Sequence, residues 1–332
     1  MEGPTHRRPG PGWKFWLRLG VSAGLLVVLI INVPDLGGIV PHRHHLRTAL
    51  LLGAAVIVTF IGVVLSAWRW QRVLAVFDVD VPVRTLTFYY LAGLFVGNVL
   101  PSTIGGDVLR VARVSNDTGS TTTAFASVAL ERLTGFVALP LLVFVGFAIR
   151  PSLLDADHAW VALLVASITL AALSLILFLA GHPRLAGRFA GNTNWTRFIG
   201  AIHLGVDNLR HRPRQALSVL LTAVIYQGSV VAAVALIFRT LDLPVPLAAA
   251  CSYVATVAMV QVLPLSFNGL GVREGMLVYL LHPIGVSEGQ AIAAGLLWFT
   301  SMLVVSMFGA PAFASGSRSR RRRETVTAES AM

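Results

Sequence analysis

The chain has 332 residues, of which 55% are apolar and only 12% are charged, and its mean hydropathy is +0.75. This composition excludes an ordinary soluble domain, since apolar runs recur from one end of the chain to the other. The formal net charge of +11 does not indicate nucleic-acid binding, because the basic residues lie in short segments between apolar runs, as topology signals do. We therefore predict an all-α polytopic membrane protein that binds no nucleic acid.

Six apolar runs are long enough to cross the membrane, since a helix needs about 20 such residues to span about 30 Å of hydrocarbon. They cover residues 15–33, 48–68, 124–149, 159–180, 216–238 and 290–313. The first run has a basic flank but no small-residue cleavage site after it, so we interpret it as a retained span. The single cysteine, Cys251, excludes a disulfide within the chain.

These spans define a single membrane domain over residues 15–313. Residues 1–14 are predicted to be a disordered cytoplasmic N-terminus, and residues 181–215 a cytoplasmic loop. Residues 314–332 contain the run RSRRRR and are predicted to be a basic cytoplasmic tail, which attracts anionic lipid headgroups.

Two further regions, 86–118 and 247–285, contain apolar halves that are interrupted near the middle by Pro and Gly. Each half is about 10–17 residues long, which is short for a full span. Membranes tolerate broken helices and re-entrant hairpins only where protein shields the irregular backbone or where it lines a wet cavity. We therefore predict two broken hairpins besides the six spans, or up to eight apolar segments counted as spans.

The distribution of Lys and Arg favours this topology. A hairpin at 86–118 places twenty of the 26 basic residues on the cytoplasmic side and four outside, with Arg132 and Arg273 at membrane depth. If the first region crosses the membrane once and the second crosses it twice, the cytoplasmic side holds nine basic residues and the outside holds sixteen. The positive-inside rule therefore favours the hairpin, with both termini in the cytoplasm of a plasma-membrane protein. Charge counting does not distinguish a second hairpin from two short spans.

The two broken regions share a motif, which reads LPSTIGGDVLR in the first region and LPLSFNGLGVR in the second. The matched positions are Pro101 and Pro264, Gly106 and Gly269, and Arg110 and Arg273. Under the hairpin topology the two copies are related by inversion, and paired broken segments of this kind point to a transport site between inverted repeats. The alternative is that both are structural kinks.

The residues around these motifs have the chemistry of an anion site. Pro101 and Pro264 are predicted hinges, and Gly105 and Gly106 permit a turn that starts a new helix. Asp107 is predicted to cap that helix, which leaves Arg110 and Arg113 one turn apart on one face. The second copy offers Ser266, Asn268, Gly269 and Gly271 before Arg273. Exposed N–H groups at a helix N-terminus beside guanidinium groups suit a phosphate.

Charged residues at membrane depth are costly and usually face a partner or a wet path. Glu131 and Arg132 lie in one predicted span, and Arg273 and Glu274 follow the second break. Neighbours on a helix point about 100° apart, so we expect neither adjacent pair to neutralise itself. Glu131 pairing with Arg110 or with Arg273 stays open. Together with Asp107, Arg110 and Arg113, the network has four positive and three negative charges, a net +1 that suits a phosphate-bearing lipid.

The motifs NVLPSTIGGDVLRVARV, ERLTG (131–135) and LPLSFNGLGVREG (263–275) resemble the lysylphosphatidylglycerol synthase transmembrane family of flippase-like proteins. The likeness spans roughly residues 15–313. It implies a membrane-embedded helical fold with a lipid-handling role, without naming the lipid. The bifunctional synthase carries a soluble catalytic domain after its membrane part, whereas here the chain ends about 20 residues after the last predicted span. Aminoacyl transfer is therefore not expected.

The leading hypothesis is a flippase for a phospholipid or polyprenyl-phosphate whose phosphate binds Arg110, Arg113 and Arg273. One alternative is a membrane transferase, for which Asp78 and Asp80 form a D-x-D that is able to hold a divalent metal. The other is a membrane subunit without transport activity. We expect the HRHH segment at 42–45 to be polar surface, and Trp68 and Trp70, beside Arg69 and Arg72, to be interfacial anchors. No catalytic residue, metal or cofactor is predicted.

Overall fold

The structure is a computed structural model that describes residues 45–99, 105–180, 194–263 and 266–314. Within these ranges the regular elements are helices, and no strand is present. The α-helices in chain order are α1 (His45–Ala75), α2 (Val83–Val99), α3 (Gly105–Thr118), α4 (Thr121–Ile149), α5 (Ala159–Ala180), α6 (Asn194–His211), α7 (Pro213–Thr240), α8 (Leu247–Val260), α9 (Val272–Leu281) and α10 (Glu288–Met307). The predicted all-α polytopic architecture is confirmed.

Five of the described helices, α1, α4, α5, α7 and α10, are long and apolar enough to cross a membrane. They correspond to five of the six predicted spans. The remaining predicted span, residues 15–33, lies outside the described residues, as do the N-terminal segment and most of the basic tail.

Burial shows which spans form the centre of the protein. In the most apolar window of α1 and of α5 only 17% of the residues are buried, whereas 44% are buried in α4 and in α10. The largest buried cluster joins α4, α5, α7, α8, α9 and α10, and includes Phe147, Phe238 and Tyr253. Because α4 lies at the centre, its Glu131 is buried, whereas the neighbouring Arg132 side chain is 49% exposed.

The first broken region consists of the short helices α2 and α3, which pack against each other. A Cβ atom on Gly106 would overlap the backbone carbonyl of Gly93, so the two helices touch through their backbones at this point. Small residues at such crossings are what allow membrane helices to approach closely. The predicted hinge Pro101 lies outside the described residues, between these helices.

The second broken region contains α8, a 3-10 turn at Phe267–Gly269, and α9. Helices of 14 and 10 residues reach about 21 and 15 Å, so neither α8 nor α9 crosses the hydrocarbon alone. The backbone between them adopts positive φ at Asn268, Gly269 and Gly271, where glycine and asparagine are favoured over other residues. The predicted hinge Pro264 lies outside the described residues.

The predicted cytoplasmic loop at 181–215 contains helical structure. Within it α6 occupies Asn194–His211, and α7 begins at Pro213. The side-chain amide of Asn208 donates to the carbonyl of Val76 at 3.1 Å, which ties α6 to the end of α1. Apolar side chains such as Val206 bury against α1, α4 and α7, and this burial stabilises a helix where the sequence looked like a polar connection.

The predicted span 48–68 is longer in the structure, because α1 runs from His45 to Ala75. Trp70 is completely buried and donates its indole N–H to the Ser127 hydroxyl at 3.1 Å, so it is not an interfacial anchor. Arg69 is buried as well. Arg72 is exposed, and its guanidinium carbon lies 5.6 Å from the ring centre of Trp68.

Candidate functional site

A cavity of about 670 Å³ lies among the helices, and both broken regions line it. Its walls come from α1, α2, α3, α4, α7, α8, α9 and α10 and from the turn before α9. The predicted site residues on its surface are Gly106, Asp107, Arg110, Glu131, Arg132, Asn268, Gly269 and Arg273. The structure therefore brings residues that are more than 160 positions apart in the sequence into one chamber.

Glu131 on α4 is at the centre of the polar wall. Its Oε1 pairs with Arg69 and accepts a hydrogen bond from the Ser66 hydroxyl at 3.2 Å, and its Oε2 accepts from Arg110 at 3.1 Å. The side chains of Glu131, Arg69 and Arg110 are at most 5% exposed. Of the two partners that the sequence left open for Glu131, the structure selects Arg110 and adds Arg69.

Aromatic rings hold these two guanidinium groups in place. Arg110 lies 4.3 Å from the ring centres of both Trp70 and Tyr90, and Arg69 lies 4.7 Å from that of Tyr226. Such cation–π contacts are strengthened when water is excluded. They help to offset the cost of burying two arginines that share one carboxylate.

Asp107 connects α3 to the next part of this network. It lies in the first turn of α3, where a negative charge is favoured by the helix dipole. One of its carboxylate oxygens faces Arg110 at 3.4 Å, and the other pairs with Arg132 at 2.5 Å. Glu131 and Arg132, which are adjacent in sequence, therefore have different partners, as expected from their divergent directions on the helix.

The second adjacent pair does neutralise itself, contrary to the prediction. Arg273 donates from Nε and Nη2 to Oε1 of Glu274, at 3.1 and 2.9 Å. The other carboxylate oxygen of Glu274 accepts from the backbone N–H of Gly271 at 2.6 Å. Glu274 turns back over the start of α9 to cap it, and this places its carboxylate within reach of the long side chain of the preceding residue.

A direct hydrogen bond connects the two broken regions across the cavity. The Asn268 amide donates to Oδ1 of Asn98 on α2 at 2.6 Å. Next to it, Gly269 has φ +76, and a Cβ atom there would lie 3.0 Å from Cβ of Gln261. Both the backbone conformation and the close approach therefore require glycine at 269.

Several hydrogen-bonding atoms of the cavity-lining side chains are buried and have no partner within the described residues. They are Nε and Nη1 of Arg69, Nε of Arg110, Nδ2 of Asn98 and Oγ of Ser266. A buried donor without a partner costs about 1–3 kcal/mol. A ligand rich in acceptor oxygens recovers that free energy, so the wall is chemically suited to an oxyanion.

Helical glycines make room for the buried charges. A Cβ atom on Gly93 would lie 2.9 Å from Cγ of Arg110, and one on Gly135 would lie 2.6 Å from Nη1 of Arg69. Similarly, a Cβ atom on Gly295 would lie 2.9 Å from Cγ of Glu274. The glycine that ends the ERLTG motif therefore has a steric role: it leaves space for the arginine that pairs with Glu131.

Three predicted site residues do not line the cavity: Arg113, Gly105 and Glu274, the last of which lies behind Arg273 at the start of α9. Arg113 donates to the backbone carbonyls of Ala312 and Phe313, at 2.8 and 3.3 Å, after the end of α10. It lies one turn from Arg110 but reaches a different part of the protein. Gly105, the first residue of α3, is also not part of the cavity lining.

Arg69 is the main site residue that the sequence analysis missed, because it follows the predicted span 48–68 and stands beside the predicted interfacial tryptophans. With Arg113 replaced by Arg69, the network again has four arginines, and its carboxylates are still three. The net charge of +1 is unchanged. The sequence did contain a signal that the helix continues through Arg69. Ser66 and Arg69 are one helical turn apart, and the residues around them are mostly apolar or tryptophan, which is unusual for a loop.

Asp78, the first residue of the D-x-D segment, has a structural role. Asp78 is exposed and forms a bidentate ion pair with Arg212, with nitrogen–oxygen distances of 2.8 and 3.2 Å. This pair joins the turn after α1 to the start of α7. These hydrogen bonds hold the pKa of Asp78 below its ordinary value. In the described ranges no group of three or more His, Cys, Asp or Glu side chains is placed to hold a metal, and residues 42–44 of the HRHH segment lie outside them.

Comparison with known proteins identifies the family. The sequence model described as "Lysylphosphatidylglycerol synthase TM region" matches residues 15–309 of the 332-residue chain. Neither the curated proteins nor the solved structures give a match. The family match covers the helices that build the cavity, including both broken regions and the ERLTG segment on α4. The chain therefore belongs to the lysylphosphatidylglycerol synthase transmembrane-region family, as a multi-pass helical membrane protein of a lipid-related family.

Proposed function

We propose that this protein moves a phosphate-bearing lipid across the membrane by a flippase-like mechanism, with the phosphate bound in the cavity. The observation that carries this proposal is the set of unpaired guanidinium donors on Arg69 and Arg110 in a buried wall. Arginine presents a planar fork of N–H groups that matches the oxygens of a phosphate. A lipid phosphate supplies acceptor oxygens for the guanidinium N–H groups that Glu131 leaves without a partner.

The rest of the cavity suits the remainder of a lipid. Apolar side chains, among them Leu94, Phe136, Leu139, Val230 and Met302, line the same chamber as the arginines. The headgroup then occupies the polar wall while the acyl chains stay against apolar surface or in the bilayer. This division keeps a charged group out of hydrocarbon, where it is costly.

The hinges of the proposed transport cycle are the two breaks. Each broken region contributes a buried arginine, Arg110 from α3 and Arg273 from α9, and short helices flank each break. We propose that the breaks at Pro101 and Pro264 act as hinges and that the two regions form an inverted repeat. Movement at the breaks exposes the cavity to alternate sides, as broken helices do in transporters built on inverted repeats.

The proposed orientation has both termini in the cytoplasm and the protein in the plasma membrane. Burial of Arg69 and Arg110 removes both from the cytoplasmic side of the charge count and leaves eighteen basic residues there against four outside. The test is membrane-impermeant thiol labelling of Asp117→Cys and Asp155→Cys, both exposed, in a Cys251→Ser background. We expect labelling from the cytoplasmic side at 117 and from the outside at 155, and labelling of both from one side contradicts this topology.

The test of function is reconstitution of the full chain into liposomes that contain acyl-labelled phosphatidylglycerol, followed by measurement of how fast label crosses. We expect Arg110→Ala to slow crossing at least about tenfold, because it removes charge-assisted hydrogen bonds worth about 1.5–3 kcal/mol. Arg113→Ala, one turn away and outside the cavity, is the matched control and should cross at nearly the wild-type rate. Arg110→Lys keeps the charge but not the fork, and should lie between them.

Each variant needs a check that it folds, because Arg110 also pairs with Glu131. Gel filtration and thermal unfolding in detergent identify variants that have lost the fold, and only folded protein enters the comparison. Equal crossing rates for wild type and folded Arg110→Ala would refute the proposed role of the cavity. Equal losses for Arg110→Ala and Arg113→Ala would refute the placement of the phosphate on the Arg110 side.

A further inference from the structure

The arginines that line the cavity differ in how accessible they are. The side chains of three of them are at most 5% exposed, namely Arg69, Arg110 and Arg273. The side chain of Arg132 is 49% exposed. We propose that Arg132 is the entrance subsite of the cavity, where a lipid phosphate is captured in exchange for Asp107 before it reaches Arg110. This inference rests on the proposed function, because it concerns how the same cavity is filled.

The accessible arginine lies deep in a membrane-spanning helix. Arg132 is the twelfth residue of α4, which begins at Thr121. A rise of about 1.5 Å per residue places Arg132 about 17 Å from the start of the helix, and half of the hydrocarbon core is about 15 Å thick. An accessible charge at this depth needs water or a lipid phosphate beside it, because hydrocarbon does not solvate it. We therefore place the entrance for the headgroup at Arg132.

Asp107 divides its carboxylate unequally between the accessible arginine and a buried one. Its Oδ2 lies 2.5 Å from Nη2 of Arg132, whereas its Oδ1 lies 3.4 Å from Nη1 of Arg110. Arg110 has a closer carboxylate partner in Glu131, at 3.1 Å. An exchange of partners at Arg132 therefore breaks one ion pair and leaves the buried pair between Arg110 and Glu131 in place.

The pair between Asp107 and Arg132 is suited to such an exchange. The Asp107 side chain is 24% exposed, and ion pairs that solvent reaches contribute little net free energy. A guanidinium carries five N–H donors in a planar fork, and a phosphate is able to accept from two of them at once. A lipid phosphate therefore competes with Asp107 for Arg132. The pair at Glu131 is buried, and breaking it is far more costly.

Hydrogen-bond donors for the next step lie further inside the cavity. Nε of Arg110 is buried without a partner within the described residues, and so are Nε and Nη1 of Arg69. A phosphate that leaves Arg132 is bound by these donors, which otherwise remain unsatisfied. Asp107 then returns to Arg132 and restores the resting ion pair.

The test is the rate at which a short-chain lipid associates with the full chain in micelles of an uncharged detergent. The probe is dioctanoyl phosphatidylglycerol, and stopped-flow tryptophan fluorescence follows its arrival, because Trp70 lies against Arg110. We expect Arg132→Ala to slow association about fivefold and to make it less sensitive to salt. Arg132→Lys keeps the charge and should restore most of the rate.

Changes at the two ends of the ion pair should have opposite effects. Asp107→Asn frees Arg132 and should speed association about threefold, since the exposed pair is weak. Asparagine also suits a helix start, so the variant should keep α3 intact. In the Arg132→Ala background, Asp107→Asn should no longer speed association, because its effect passes through Arg132. A pair with a purely structural role would be disturbed in the same sense by either change.

An exposed ion pair elsewhere in the protein is the matched control. Arg47 and Asp242 lie 3.2 Å apart, and both side chains are exposed. Arg47→Ala and Asp242→Asn should leave the association rate unchanged. Gel filtration and thermal unfolding select the folded variants for comparison.

The outcomes separate this inference from the proposed function. If Arg132→Ala leaves association unchanged, or if both variants shift it in the same direction, the entrance subsite is refuted, even when lipid crosses liposomes in an Arg110-dependent way. Opposite shifts in a protein that moves no lipid support the subsite and refute transport. Inorganic phosphate that competes with the lipid at equal concentration, in an Arg132-dependent way, overturns the assignment of the subsite to a lipid. If the probe does not associate with the wild type, both proposals fall.

Discussion

Replacing Gly135 by alanine tests whether the buried arginine network is as tightly packed as the structure shows. In a helix interior this change normally stabilises a protein by up to about 1 kcal/mol, because glycine is a poor helix former. At position 135, however, the new Cβ would lie 2.6 Å from Nη1, 3.2 Å from Cζ and 3.3 Å from Nη2 of Arg69. The end of a flexible side chain normally yields, but here it pairs with Glu131 and stacks on Tyr226.

The two effects oppose each other, and their magnitudes decide the sign. Overpacking of a well-packed site costs about 1–3 kcal/mol, which exceeds the gain in helix propensity. We therefore expect Gly135→Ala to lower stability by about 0–2 kcal/mol. Gly228 on α7 is the matched control, because a Cβ there has nothing within 4 Å, and Gly228→Ala should be neutral or stabilising.

The assay is the unfolding midpoint of purified protein in detergent, followed by tryptophan fluorescence. Because Trp70 lies beside the network, local loosening should also change its emission. A double variant separates the causes: when Arg69→Ala has removed the guanidinium, Gly135→Ala should behave like the Gly228 control. If Gly135→Ala stabilises the wild-type protein as much as Gly228→Ala does, the tight packing of Arg69 against α4 is refuted.

Two further predictions concern charged pairs. Glu131→Gln leaves Arg69 and Arg110 buried without their shared carboxylate, and we expect a loss of up to about 3–5 kcal/mol in the same unfolding assay; a loss no larger than that of a surface substitution would contradict it. Asp78→Asn removes the pair with Arg212 and does not strain the left-handed backbone at 78. Since Arg212 lowers the pKa of Asp78 below 3.8, the contribution of this pair is present above that pH and is lost as pH falls through the lowered pKa. Unfolding midpoints of wild type and Asp78→Asn should therefore differ at neutral pH and converge in acid, and parallel curves would show that the pair contributes nothing.

The spans and the breaks were predictable because the bilayer acts on the sequence locally. A run of apolar residues of sufficient length becomes a helix wherever it occurs, and five predicted spans appear among the described helices. Proline and glycine similarly mark where a helix ends, so the short helices α2 and α3, and α8 and α9, lie where the two motifs indicated. Segments with intermediate polarity were harder, since the burial of α6 against other helices decides its structure.

Most of the charged residues of the candidate site were likewise predictable from the sequence, because charged side chains are energetically costly at membrane depth. Asp107, Arg110, Glu131 and Arg273 stood out because charges in an apolar chain need partners or water. Which charges meet depends on side-chain directions and helix packing, which no local pattern contains. Only the tertiary structure paired Glu131 with Arg69 and Arg110, turned Arg113 away from the cavity, and folded Glu274 back onto Arg273. The physical reason is that hydrophobicity and helix breaking act within a segment, whereas an ion pair depends on distances between segments that are set when all the helices pack together.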